Sequence, residues 1–373
     1  MRIAVWGTGW FAEQILDEAL QRYEVVCFVD NKWERQGQAF YGIEILSPED
    51  LLTRADEIDG ILIGIGNLHE QRKIALQVLP MQGKKLGLFR NTIDFPTGDW
   101  NNLGWYDIGE KTVLPYLECN IIDTCNLYCK GCTHFANLFD DATEYDPAAF
   151  EEDMRILSEH LDIARIRLLG GEPLLSKNLN QYMCITRKYF PEADVYIVTN
   201  GLLLLQQEDV FFETLRANSI GVYISGYPPV MKRKEELVGK LGQERIAYVF
   251  GFEVKEFLRI MDFSRKNERV KSYDRCFHKA CVFLRNGKLY NCPTEALVYQ
   301  YNDYFDIKDF MYPVDDFGHD IHRKDRNWRK TMKQLYQAVP LCEYCSENGG
   351  ELFRWEISKK PEKEDWCIQK REV

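Results

Sequence analysis

Residues 116–132 read YLECNIIDTCNLYCKGC, and this stretch decides the architecture. Tyr116 to Thr124 has the character of a buried strand. It runs directly into Cys125, Cys129 and Cys132, a Cys-x3-Cys-x2-Cys loop. Three thiols so close in sequence can wrap one cuboidal iron–sulfur cluster. Such clusters normally take four thiolates, so three leave one iron open to a substrate or cofactor. A zinc site made of these cysteines plus His134 is the competing reading.

Working outward, PAAFEEDMRILSEHL predicts a helix. Asp146 is its N-cap, Pro147 takes the first helical position, and Phe150, Met154, Leu157 and Leu161 recur at helical spacing. ARIRLL then predicts a strand ending in Gly170-Gly171-Glu172-Pro173. Glycines let a backbone come close, and a carboxylate pairs with an ammonium. DVYIVTNG and IGVYISGYP are further strands at βα spacing, with Thr199, Asn200, Gly201 and Ser225 at their C-terminal ends. A parallel barrel presents its catalytic groups there. A partial (β/α)6 TIM barrel of about six βα units fits residues 113–270.

With Gly-Gly-Glu-Pro at a strand end, the cysteine loop resembles the signature of the radical S-adenosylmethionine (SAM) superfamily. The resemblance implies a [4Fe–4S] cluster on Cys125, Cys129 and Cys132, whose open iron chelates the methionine end of SAM. It places Gly170, Gly171, Glu172 and Pro173 at the SAM amino group, with Asn200 and Ser225 in the same site. It also implies reductive cleavage of SAM to a 5′-deoxyadenosyl radical that removes a substrate hydrogen. One departure stands out. The residue before the last cysteine, usually aromatic or His in that superfamily, is Gly131, so adenine packing there would rely on backbone.

Upstream, a short apolar strand leads into GTGWFA, where Gly7, Gly9 and Ala12 match G-x-G-x-x-G/A. A helix and a second strand, EVVCFVD, follow. The strand ends in Asp30, where an acid would bond a ribose hydroxyl. These predict a Rossmann-like nucleotide or nucleotide-sugar binding domain over 1–105. The stretch from Val26 to Gly66 resembles the N-terminal domain of bacterial sugar O-acyltransferases, which implies a nucleotide-sugar contact at the Gly-rich turn and Asp30. A docking or oligomerisation module is the alternative. Residues 94–112, rich in Gly, Pro, Asp and Asn, read as the connection between domains.

Downstream, CFHKACVFLRNGKLYNC spans 276–292 and is followed by Cys342-x2-Cys345. Asn286-Gly287 is a two-residue hairpin signal, and pairing Arg285 with Lys288 sets Cys281 opposite Cys292. The pattern resembles the Twitch form of the SPASM auxiliary-cluster extension. That implies a β-hairpin plus helix domain over 271–350 and one auxiliary [4Fe–4S] cluster on Cys276, Cys292, Cys342 and Cys345. Cys281 is the alternative ligand. If it stays free, its thiol is a hydrogen-atom donor. Structural zinc is the other reading of these cysteines. Residues 351–373 read as a tail, in which KKPEKEDW is a charged, solvated stretch and Cys367, without partner spacing, is surface or core. Cys27, Cys119 and Cys184 read as buried, inert thiols.

The 373 residues carry a net charge of −11, which argues against nonspecific nucleic-acid binding. Met1-Arg2 runs straight into IAVW, and no apolar run approaches the roughly 20 residues a bilayer needs, so a cytoplasmic protein without a membrane partner is expected. Twelve cysteines in a reducing compartment point to metal rather than disulfides. The combined expectation is an α/β radical SAM enzyme. It would abstract hydrogen from a carbohydrate carbon, on a nucleotide-linked or otherwise activated sugar, giving epimerisation or dehydrogenation. A flavodoxin or ferredoxin-type donor would supply the electron. A peptide-modifying maturase is the alternative, and an Fe–S scaffold or sensor the non-enzymatic one.

Overall fold

The structure is a computed structural model describing residues 1–90, 99–139, 143–307, 312–313 and 316–368. The chain opens with β1 (Arg2–Trp6), α1 (Trp10–Arg22), β2 (Glu24–Val29), β3 (Ala39–Phe40) and β4 (Ile43–Leu46). Next come α2 (Pro48–Thr53), β5 (Gly60–Ile63), α3 (Leu68–Gln77), β6 (Lys85–Phe89) and β7 (Leu103–Asp107). Their sheet has the order β3-β4-β2-β1-β5-β6-β7. Pairing is parallel from β4 to β6, with β3 and β7 antiparallel at the edges. Ile3 and Val5 pack into one apolar layer and Ala4 and Trp6 into another, so both sheet faces are covered, as parallel strands require.

The boundary expected at 105 falls inside β7, which pairs with β6 along its whole length. The segment read as a linker therefore supplies an edge strand, because Leu103 and Trp105 have apolar surface to pack. The part of it from 94 to 98 lies outside the described residues.

The middle of the chain contributes β8 (Thr112–Leu114), β9 (Leu117–Ile122), α4 (Pro147–His160), β10 (Leu161–Ile163) and β11 (Arg165–Gly170). It continues through α5 (Leu179–Tyr189), β12 (Asp194–Thr199), α6 (Asp209–Ala217), β13 (Gly221–Gly226), α7 (Pro228–Met231), α8 (Lys234–Gln243) and β14 (Tyr248–Glu253). Asp146 caps α4 by accepting from the Ala149 amide at 2.9 Å. Phe150, Met154 and Leu157 on that helix are fully buried.

The last third comprises β15 (Glu256–Arg259), α9 (Arg269–Arg275), β16 (Phe283–Arg285), β17 (Lys288–Tyr290), α10 (Pro293–Tyr304), β18 (His319–Asp320), α11 (Trp328–Gln334) and β19 (Glu351–Arg354). The central sheet runs β14-β13-β12-β11-β9-β16-β17-β18. Five of its parallel strands come from 113–270. The sixth, β16, belongs to the C-terminal hairpin and lies parallel to β9. This corrects the expectation of about six βα units within 113–270: after β14 the chain turns into β15, which pairs with β19 instead. The hairpin register, Arg285 with Lys288, is the one read from Asn-Gly.

Residues 351–368 are not a free tail. β19 pairs antiparallel with β15, and Trp355 and Trp366 are buried, while Leu352, Arg354, Glu356, Ile357 and most of Lys359–Glu364 face solvent. Cys367 approaches the Tyr301 hydroxyl at 3.3 Å. Cys184 is exposed, because α5 buries its other face through Tyr182, Met183 and Thr186. No helix among the described residues is long and apolar enough to cross a membrane.

Two buried arginines bind the first domain to the rest. Arg165 on β11 donates to the carbonyls of Phe89 and Arg90, and to Gln71 at 3.2 Å. Arg72 on α3 donates to the carbonyls of Lys279 and Cys281, both at 3.1 Å, and to that of Leu335. Charged hydrogen bonds of this kind contribute more than neutral ones, and buried acceptors left unpaired cost more still. Replacing Arg72 by Met should lower stability by roughly 3 kcal/mol, read as a lower urea midpoint. An unchanged midpoint would show that the guanidinium does not hold the domains together.

Candidate functional site

The C-terminal ends of β9, β11, β12 and β13 meet at a cavity of about 110 Å³. It is lined by Cys125, Cys129 and Cys132 after β9, Gly170 and Gly171 at the end of β11, Asn200 after β12, and Ser225 and Tyr227 at β13. Residues read from four separate stretches of sequence therefore converge on one cavity. Pro173 is buried beside it and does not line it.

Hydrogen-bond donors surround the sulfurs. Cys125 Sγ accepts from the Leu127 amide at 3.4 Å and from Asn200 Nδ2 at 3.7 Å. The same Asn200 amide donates to Asn126 at 2.8 Å. Cys129 Sγ accepts from Trp355 Nε1 at 3.3 Å. Burial, reinforced by Glu172 and Cys132, pushes Cys125 up to about 12; burial with Cys132 and Cys125 nearby pushes Cys129 higher still, and burial raises Cys132 as well. Without metal these groups hold their protons. A bound metal must displace them, which couples binding to proton release. Three soft sulfur donors on a glycine-walled cavity suit an iron–sulfur cluster with one open iron. Among the described residues no three His, Cys, Asp or Glu side chains are disposed to hold a single metal ion.

Glu172 differs from its expected role. It is fully buried, is not part of the cavity wall, and both carboxylate oxygens are engaged. One accepts from the Leu174 amide at 3.0 Å and the Thr199 hydroxyl at 2.6 Å, the other from the Asn200 amide at 2.8 Å. The carboxylate thus locks β11 to β12, and the cavity receives the Gly170 and Gly171 backbone rather than an acid. Gly131 also differs. At φ +63° it lies against the C-terminal segment, where an added Cβ would stand 2.6 Å from the Asp365 carbonyl oxygen and 3.0 Å from the Phe353 ring. A side chain is excluded there by protein.

The C-terminal cysteines share one neighbourhood: charge on Cys276 acts on the thiols of Cys281, Cys292, Cys342 and Cys345. Cys276 Sγ accepts from the His278 amide at 3.3 Å, and Cys292 Sγ from the Glu295 amide at 3.4 Å. Cys281 points elsewhere. Its thiol donates to Glu118 at 3.6 Å, near the start of β9, whereas the cavity lies past that strand's end. From Glu118 to Ile122 is about 13 Å along the strand. That placement does not suit Cys281 as hydrogen donor at the cavity.

In the first domain, Gly7 has φ +117° and a Cβ there would meet the Gly64 carbonyl oxygen at 2.8 Å. A Cβ at Gly9 would meet nothing, and Ala12 is packed inside. Asp30 is not a free ribose acceptor, because it takes the Thr8 hydroxyl at 2.5 Å and the Lys32 amide at 2.9 Å, with Arg35 at 3.7 Å. Sequence reading missed Thr8, Arg35, Tyr227, Trp355 and Trp366. Of these, Tyr227 carried a signal, as it directly follows the strand end that holds Ser225.

Residues 119–245 match the model of the Radical SAM superfamily, and residues 1–85 match the family described as C2185-like, N-terminal. The centre of this chain is a radical SAM domain. Its membership supports an enzyme and implies a [4Fe–4S] cluster and SAM as cofactors. GTP 3′,8-cyclase of Syntrophomonas wolfei is 33% identical over 92 residues, 24% of this chain and 28% of that protein. The corresponding cyclase of Campylobacter lari is 26% identical over 178 residues, 41% of this chain and 52% of that protein. The chain thus spans about a quarter to a half of the length of these relatives. BtrN, solved with AdoMet and 2-DOIA, aligns over 62% of this chain and 92% of its own at 20% identity, with a TM-score of 0.39.

Glu172 supplies a pH test. Burial raises its carboxyl from 4.5 to about 6, outweighing the three donors. The folded state therefore holds the proton more tightly than the unfolded one. Its contribution is whole below pH 4.5 and is lost as pH rises through about 6. The difference corresponds to about 2 kcal/mol. Chemical denaturation across that range should show stability falling more steeply in the wild type than in Glu172→Gln. Parallel curves would show that the carboxyl titrates normally.

Proposed function

We propose that this chain is a radical SAM dehydrogenase of a hydroxylated, carbohydrate-like substrate. The observation that carries the reading is the convergence of Cys125, Cys129, Cys132, Gly170, Gly171, Asn200 and Ser225 on one cavity at the strand ends. Cys125, Cys129 and Cys132 would hold the cluster, and the Gly170-Gly171 backbone with Asn200 and Ser225 would receive SAM. When bound, the pair supplies reductive SAM cleavage and a 5′-deoxyadenosyl radical that takes hydrogen from a substrate carbon. Asn200 orients the loop by bonding Cys125 and Asn126 together. Tyr227, which lines the cavity, stacks on Trp355 with ring centroids 5.7 Å apart.

The substrate class rests on the wall of the cavity itself. His134, Asn137, Thr199, Asn200 and Ser225 line it. The buried His134 Nε2 and both polar side-chain atoms of Asn137 have no hydrogen-bond partner among the described residues. Such a lining suits hydroxyl groups better than apolar side chains of a peptide. Dehydrogenation is favoured over epimerisation because Cys281 is tied to Glu118, away from the cavity. Cys276, Cys292, Cys342 and Cys345 would hold an auxiliary cluster able to accept an electron, and the first domain would take the nucleotide part of an activated sugar near Gly7 and Gly9.

Anaerobic reconstitution should load roughly eight irons and eight sulfides, and Cys125, Cys129 and Cys132 all changed to Ala should leave about half and end 5′-deoxyadenosine formation. Nucleotide sugars deuterated at ring carbons should then pass deuterium to 5′-deoxyadenosine and gain a carbonyl. Zinc in place of iron at 276–345 would overturn the auxiliary assignment, and an inverted sugar centre would favour the epimerase.

A further inference from the structure

The C-terminal segment is built onto the cysteine loop. The Lys130 amide donates to the Glu356 carbonyl at 2.9 Å and the Ser358 amide to the Tyr128 carbonyl at 2.9 Å. Lys130 pairs with Asp365 at 3.2 Å, and Trp366 Nε1 donates to the Cys132 carbonyl at 2.8 Å. Gly131 leaves the room these contacts need. Within this clamp one contact is different in kind: Trp355 Nε1 donates to a sulfur, Cys129 Sγ, at 3.3 Å. The indole is buried, its backbone is pinned by a bond from its amide to the Lys255 carbonyl at 2.9 Å, and its ring rests on Tyr227. The donor is therefore fixed before any metal arrives.

We infer that Trp355 is a positioning residue that sets the reduction potential of the cluster held by Cys129, an inference resting on the proposed cluster assignment. A hydrogen bond to a ligand sulfur withdraws negative charge from it. The reduced cluster carries one more negative charge than the oxidised one, so the bond favours reduction and raises the potential. Trp366 donates to a carbonyl instead, and holds the loop without acting on a sulfur.

The test is an EPR-monitored redox titration of the reconstituted full chain. Trp355→Phe should retain its iron and disfavour reduction about tenfold, a downward shift of about 59 mV for one electron. Trp366→Phe should leave the potential of the bound cluster where it is. Should Trp355→Phe fail to hold iron, benzothienylalanine placed at 355 keeps the bicyclic ring, removes only the N–H, and should give the same shift. An unchanged potential in either form overturns the inference, as does an equal shift in Trp366→Phe, which would assign the effect to loop geometry. A wild-type chain that binds no iron would instead overturn the cluster assignment itself.

Discussion

A Cβ on Gly170 would stand 2.1 Å from the Ile122 carbonyl oxygen, and one on Gly171 2.0 Å from that of Thr124. No real side chain survives such distances, so these two glycines permit a contact that nothing else could. Through it the Gly171 amide reaches the Ile122 carbonyl at 2.8 Å and the Glu172 amide the Thr124 carbonyl at 2.9 Å. The end of β11 is thereby fused to the residues that launch the cysteine loop. Glu172 carries the connection to β12 through Thr199 and Asn200, and Asn200 returns it to Cys125 and Asn126. The result is a closed ring of hydrogen bonds around the cavity. Its members come from three strands, so the position of Cys125 is set by the sheet rather than by the flexibility of its own loop.

The other side of the loop is fixed by residues more than 200 positions away in sequence. Trp355 and Trp366 reach Cys129 and Cys132, and Gly131 accommodates Asp365 and Phe353. Gly131 thus has a physical cause internal to this chain: the space a larger residue would need is filled by backbone and an aromatic ring. The same contacts explain why the segment after 350, charged on paper, is ordered. Its two tryptophans have buried seats, while its lysines and glutamates face water.

Local pattern made much of this legible. Asp146 and Pro147 announced α4, Asn286-Gly287 fixed the hairpin register, and the cysteine, glycine and strand-end residues named from sequence do line one cavity. What escaped was non-local. Nothing in Leu103–Asp107 announces an edge strand until β6 is beside it. Whether Glu172 and Asp30 face a ligand or their own backbone depends on where Thr199, Asn200, Thr8 and Arg35 lie once the strands are aligned. The hairpin register holds for Arg285 and Lys288, but its pairing ends at Phe283 and Tyr290, short of Cys281 and Cys292, and register alone could not reveal Glu118 on the neighbouring strand.

The two halves of the loop's support have a thermodynamic consequence. Buried Cys125, Cys129 and Cys132 resist ionisation, so the loop without metal is neutral and poorly solvated. The donors aimed at it, from Leu127, Asn200 and Trp355, gain most when the sulfurs carry charge. Metal bound at Cys129, as proposed, and docking of the segment around Trp355 would therefore act on the same atom. Binding that strengthened the Trp355 bond would stabilise the docked segment, and by reciprocity the docked segment would strengthen metal binding by the same free energy. The C-terminal segment would in this sense belong to the proposed cluster site, and a chain lacking it would present the same three cysteines with lower affinity.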